Sequence, residues 1–166
     1  MKFCPQCQAT LAPRHIDGSE RLACSSTNCG FVFWANPTPV AAGLVIHDGK
    51  FLLARNAQWP LGMYSVITGF VEKGELPEET MIREVAEELG LTVASLNFIG
   101  HFSLDQSNQL LVAYVVQANG QLALSDEIIE TLCLSKAKLA EFDFGPMGLT
   151  AEIVSRALQM PALHHA

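Results

Sequence analysis

Seven glutamates fall within the seventeen residues from Glu72 to Glu88. Like charges three and four residues apart repel along a helix surface. Such a segment can fold only where one face is anchored and something positive sits among the carboxylates. Pro77 suits the first position of a helix and Gly90 its end. Met81, Ile82, Val85 and Leu89 recur at helical spacing and form an apolar face to lay against a sheet. Glu84, Glu87 and Glu88, at i, i+3 and i+4, take the neighbouring face. Arg83 is one counter-charge. A hard divalent cation would be a larger one, because such ions take oxygen ligands and bind substrate phosphates at the same time.

The rest of the chain offers the sheet. "PVAAGLVIHDGKFLLARN" predicts a hairpin turning at Asp48-Gly49. "MYSVIT" predicts a short buried strand. "LTVASLNFIGHFSL" and "LLVAYVVQA" predict long strands, the second followed by a turn at Asn119-Gly120. "SKAKLAEF" predicts a short helix capped by Ser135, and "TAEIVSRALQM" a longer one closed by Pro161. Strands, one helix, strands again and a terminal helix imply an α+β domain with a mixed sheet.

Residues before Trp34–Pro39 are too few to build a core of their own. The expected division is a module over 1–35 and a domain over 36–166. The module holds four of the five cysteines, as Cys4-x2-Cys7 and Cys24-x4-Cys29 with sixteen residues between the pairs. Two tight turns bearing thiolates suit tetrahedral Zn2+ in a structural ribbon, with all four positions filled and none open for chemistry. His15, between the pairs, is read as a surface residue. Cys133, set among apolar residues, is read as a buried core thiol.

The formal net charge of −7 gives no general attraction for nucleic acid. The sequence has no uninterrupted run of eighteen apolar residues, so no membrane span is expected. The opening "MKFCPQCQAT" lacks the apolar run of a secretory signal, and a cytoplasmic address is expected.

From Gly69 to Leu91 the chain reads Gly-x5-Glu-x7-Arg-Glu-U-x-Glu-Glu-x-Gly-U, with U aliphatic. This matches the Nudix box at every position, and the chain resembles a Nudix hydrolase. The resemblance implies an α/β/α sandwich around a mixed sheet. It also implies Mg2+- or Mn2+-dependent hydrolysis of a nucleoside diphosphate linked to another moiety. It carries over Glu84, Glu87 and Glu88 as metal ligands, with Glu75 paired to Arg83 to orient them, and it implies a homodimer.

A zinc ribbon ahead of such a domain is similar to the NADH pyrophosphatases, as is "YSVITGFVEKGE". Their array Ser-Gln-Pro-Trp-Pro-Phe-Pro-x-Ser is replaced here by "GHFSLDQSNQLL". "FWANPTPVAAGLVIHDGKFLLARN" and "FSLDQSNQ" resemble instead the FAD and ADP-ribose pyrophosphatases with ribbons. FAD, ADP-ribose and NADH types therefore all stay open. Glu127 aligns with a distal metal-binding glutamate of the NADH enzymes. Asn108 and Gln109 fall in the substrate segment. Phe102, with Phe98 and Trp34, is a candidate for base stacking. A second reading is a regulator that senses a nucleotide and uses the ribbon as a nucleic-acid or protein contact. The box is intact, and Lys2, Arg14 and Arg21 are the only basic residues ahead of the domain, which favours the enzyme.

Overall fold

Two Asp-Gly dipeptides make two-residue hairpin turns, one in each half of the molecule. Asp17 and Gly18 take φ of 49° and 79°, and Asp48 and Gly49 take 50° and 70°. These left-handed pairs match the twist of the strands they join. In the computed structural model, which describes residues 1–161, the chain forms two compact units, Met1–Asn36 and one beginning at Pro37.

In the first unit, β1 (Leu11–Ile16) and β2 (Ser19–Cys24) flank the first hairpin, and β3 (Val32–Phe33) pairs antiparallel with β2. With so little apolar surface, the unit is organised around its four cysteines.

In the second unit, β4 (Thr38–His47) and β5 (Lys50–Asn56) form the second hairpin. β6 (Ile67–Phe70), α1 (Pro77–Leu89), β7 (Thr92–Leu104), β8 (Gln109–Asn119) and β9 (Ile128–Leu134) follow, then α2 (Lys136–Ala140) and α3 (Gly148–Leu158). The sheet runs β7-β8-β4-β5-β9, with β6 against β4. β4 and β8 are parallel and the other pairs antiparallel, so the sheet is mixed.

The continuous apolar run of β4 marks a strand buried on both faces. Val40, Ala42, Leu44 and Ile46 pack with Ile153, Val154 and Ala157 of α3. Ala41 and Val45 pack on the other face with Met81, Val85 and Leu89 of α1. Gly43 allows the close approach there: a Cβ on it would stand 2.8 Å from Met81 Sδ and 2.9 Å from Val116 Cγ2. The result is a sandwich with α1 on one face and α2 and α3 on the other. Each large side chain fully buried in it contributes about 1.5–3 kcal/mol.

Three sequence expectations are corrected, and one strand is added. "MYSVIT" is not one strand: Ser65 pairs singly with Ala54 of β5, and the chain then crosses to β4 as Ile67–Phe70. Strand β9, not expected from the sequence, lies at a sheet edge against β5. Its alternation also exposes Cys133, whose neighbour Leu134 takes the buried face instead. Ile82 is 48 % exposed, at the margin of the helix face that buries Met81, Val85 and Leu89. Among the described residues, no helix is long and apolar enough to cross a membrane.

Candidate active site and cysteine centre

Helix α1 begins at Pro77 behind Leu76, a side chain that cannot accept a hydrogen bond. Glu79 compensates by accepting from the Leu76 N–H at 2.8 Å, which is one half of a capping box. Gly90 ends the helix in the left-handed conformation, and its N–H bonds to the Ala86 carbonyl.

At about 100° per residue, Glu88 falls only about 20° round the helix from Met81, and Glu84 about 60° on the same side. Both carboxylates therefore stand within the arc that packs on the sheet. Glu84 has a side-chain exposure of 14 %, whereas Glu87, further round, has 60 %. Gly69 of β6 makes room for Glu84: a Cβ there would lie 2.0 Å from Glu84 Oε1.

Arg83 holds the group together. It donates through Nε and Nη2 to the two oxygens of Glu75 at 3.0 and 3.1 Å, a bidentate fork. Its Nη1 donates to Glu84 at 2.6 Å and to Glu87 at 3.2 Å, and Nη2 also reaches the Phe70 carbonyl at 3.2 Å. Glu75 further accepts from the Thr80 hydroxyl at 2.7 Å and the Glu72 N–H at 3.1 Å. These bonds, the Arg83 fork first, hold Glu75 down to about 2. It stays ionised and serves as a fixed brace.

Glu84 and Glu88 are pushed the other way. Burial raises Glu84 against the pull of Arg83. Burial, then the charges of Glu84, Glu127 and Glu87, raises Glu88 to about 7. Glu84, Glu87, Glu88 and Glu127 line one cavity of about 400 Å³, with Arg83, Gly69 and Phe70. Glu127 comes to it from the turn before β9, where its carbonyl accepts from the Ala57 N–H at 2.8 Å. The chemistry of this donor set fits a hard cation. It has several carboxylate oxygens, is partly desolvated, and carries mutual repulsion that a positive ion would relieve.

In the first unit the four Sγ atoms lie within 4.8 Å of one another, the one such group among the described residues. The box carboxylates do not yet converge so closely; Arg83 draws Glu84 and Glu87 to itself. Cys4 and Cys29 sulfurs are 3.7 Å apart, and those of Cys7 and Cys24 are 3.4 Å apart. Zinc–sulfur bonds of about 2.3 Å in a tetrahedron set sulfurs about 3.8 Å apart. Against the lowering by the Ser26 backbone, burial and the neighbouring sulfurs push Cys24 up to about 12. A cation bound among the sulfurs would relieve the interactions that raise Cys24.

Residues 37–147 match the model of the NUDIX domain. The chain belongs to the NUDIX family. It is 35 % identical over 119 residues to the human "NAD(P)H pyrophosphatase NUDT13, mitochondrial", which covers 70 % of this chain and 33 % of that protein. It is 33 % identical over 119 residues to the "NAD-capped RNA hydrolase NudC" of Chromobacterium violaceum, covering 72 % and 43 % respectively. The chain thus spans a third to under half of the length of these curated relatives. In fold it is similar to a NUDIX hydrolase from Nitrosomonas europaea, with a TM-score of 0.78, 21 % identity, and coverage of 100 % of this chain and 94 % of that one.

The substrate residues expected from the sequence divide. Gln109 lines a second cavity, beside the carboxylates. Asn108 takes φ 49° in the turn before β8, and its carbonyl accepts from Thr38 N–H at 2.8 Å, so its backbone shapes the turn. Phe102 is corrected: it is 4 % exposed in the core with the Arg156 guanidinium over its ring, and it offers no face to a base. Phe98 stacks edge-on with His101 and Tyr114 and lines neither cavity. Trp34 lies in the first unit beneath Arg21. The aromatic side chains that do line both cavities are Trp59 and Phe70. Trp59 sits in a loop, where periodicity carries no signal; Phe70, directly after Gly69 of the box, was within reach of the motif.

Proposed function

We propose that this chain hydrolyses the pyrophosphate bond of a nucleoside diphosphate derivative of the FAD, ADP-ribose or NADH type. Glu84, Glu87, Glu88 and Glu127 would hold Mg2+ or Mn2+, and Cys4, Cys7, Cys24 and Cys29 would hold a structural Zn2+. The observation that carries this reading is the braced carboxylate wall: Glu84 seated against Gly69, Arg83 forked on Glu75, and Glu88 and Glu127 in the same cavity. The bound cation would neutralise diphosphate charge and lower the pKa of an attacking water. The chain's own part is to present carboxylates already placed. Arg83 and Glu75 fix the start of α1, and Gly69 admits Glu84. Burial keeps Glu88 and Glu84 short of water, so that they bind a cation more readily than solvent would allow.

The names of the relatives, for NAD(P)H and for NAD-capped RNA, support a dinucleotide substrate. The test is hydrolysis of NADH, FAD, ADP-ribose, dinucleoside polyphosphates, nucleoside triphosphates and a short NAD-capped RNA, with Mg2+ and Mn2+ supplied separately. Two monophosphate products from a dinucleotide are expected. The capped RNA tests the absence of nucleic-acid partners expected from the acidic charge. No product from any substrate with either metal refutes the reading, and a clear preference for triphosphates refutes the substrate class. The cytoplasmic address and the homodimer are part of the same reading; light scattering of the purified chain tests the dimer.

A further inference from the structure

Thr80 is the one polar side chain of α1 that is fully buried. Glu84 follows it by four residues, one turn further along the same side of the helix. A buried hydroxyl costs stability unless it is hydrogen-bonded. Its local partner is already in use: the Leu76 carbonyl accepts from the Thr80 N–H at 3.0 Å and stands 3.2 Å from the hydroxyl. The hydroxyl has one proton to give, and its shorter contact is Glu75 Oε2 at 2.7 Å. A hydroxyl donating to a carboxylate makes one of the stronger hydrogen bonds in a protein. The first turn of α1 that aims it is itself pinned. Tyr114 of β8 donates to Glu78 at 2.7 Å, and Glu79 accepts from the Leu76 N–H at 2.8 Å.

Arg83 has five N–H bonds, and all are committed. Nε and Nη2 go to Glu75, Nη2 also to the Phe70 carbonyl, and Nη1 to Glu84 and Glu87. A cation that takes Glu84 and Glu87 must take them from Nη1. Arg83 then stays aside as long as Glu75 keeps its fork. The fork needs the Glu75 carboxylate in one orientation, and the Thr80 proton fixes that orientation at Oε2.

We propose that Thr80 is a positioning residue of the carboxylate site: its hydroxyl holds Glu75 in the orientation that retains Arg83, so that a divalent cation can draw Glu84 and Glu87 away from the guanidinium. This rests on the pyrophosphatase reading and deepens it. Without the hydroxyl, Glu75 is free to turn, and Arg83 follows Glu84 and Glu87 as a competing positive charge.

Three variants separate the proton from the packing. Thr80→Val keeps the shape and removes the proton, Thr80→Ser keeps the proton and removes the methyl, and Thr80→Ala removes both. Mn2+ is titrated into each purified chain with its cysteine centre loaded, and the free ion is read by electron paramagnetic resonance. Direct hydrogen-bond partners of metal ligands are worth about 10- to 100-fold in affinity, and Thr80 acts one bond further out, so the Mn2+ dissociation constant should rise about 3- to 10-fold in Thr80→Val and Thr80→Ala. Thr80→Ser should bind as wild type does. The Mg2+ concentration for half-maximal turnover should rise in the same order. A packing role alone ranks the variants by volume instead, with Thr80→Val like wild type and Thr80→Ser impaired. That ranking, or an affinity unmoved in Thr80→Val and Thr80→Ala, overturns the proposal even if hydrolysis is found. The expected ranking without hydrolysis of any dinucleotide upholds the role of Thr80 and refutes the pyrophosphatase reading instead. A wild-type chain that binds no Mn2+ overturns both.

Discussion

Replacing Glu88 with Gln separates a metal site from a merely solvated acidic face, because activity and metal-free stability should move in opposite directions. Gln keeps the shape of Glu and matches its protonated form in charge. In wild type, burial and the charges of Glu84, Glu127 and Glu87 raise this carboxyl to about 7 from an ordinary 4.5. Between those values the native state holds a proton that the unfolded chain has released. Metal-free stability therefore falls as pH rises through that window and levels off above it. The full interval is worth about 3 kcal/mol. Solvent screening at a half-buried carboxylate brings this to about 1–2 kcal/mol.

At pH 8 without Mg2+ or Mn2+, Glu88→Gln should melt higher than wild type by about 2–8 °C, from about 2–4 °C per kcal/mol for a chain of this size. At pH 4 the difference should largely vanish. The assay is a melting series across this range in buffer free of both ions, without a chelator strong enough to strip the cysteine centre. Mg2+ should then raise the wild-type midpoint more than that of the variant. Turnover with Mg2+ should fall about 100-fold or more, since the lost oxygen served both charge neutralisation and water activation. Unchanged turnover, or a wild-type midpoint that does not drop between pH 4 and pH 8 relative to the variant, refutes the reasoning.

Gly69→Ala places a methyl where the Glu84 carboxylate now sits, and should cut kcat at least about tenfold with circular dichroism little changed. Arg83→Lys cannot make the fork to Glu75, so Glu75 should titrate upward from about 2, read by carboxyl NMR, with a higher Mg2+ requirement for turnover. Cys24→Ser should abolish stoichiometric zinc by elemental analysis and unfold residues 1–36, leaving the second unit's melting transition in place.

The carboxylate face is legible in the sequence because spacing alone puts Glu84 and Glu88 beside Met81 and Val85, and a helix preserves spacing. Both Asp-Gly hairpin turns carry their own local chemistry, although only Asp48-Gly49 is flanked by enough apolar alternation to be read as one. The cysteine pairs are legible because two short spacings leave four thiolates few other arrangements. Elements specified by their neighbours are not. Strand β9 exists because β5 offers it an edge, and the same alternation that makes it a strand puts Cys133 in solvent beside buried Leu134. Aromatic identity alone misleads in the same way. Phe102 and Trp59 look equally able to stack, yet Phe102 falls on the buried face of β7, and Trp59 is carried out of the sheet where β5 breaks register. That break has a functional consequence. The loop it starts sets Trp59 between the two cavities, and the Ala57 N–H ties the same loop to the backbone of Glu127. The loop after β5 therefore carries Trp59 and anchors the backbone of Glu127, so a change that displaces this loop should disturb the metal dependence of turnover.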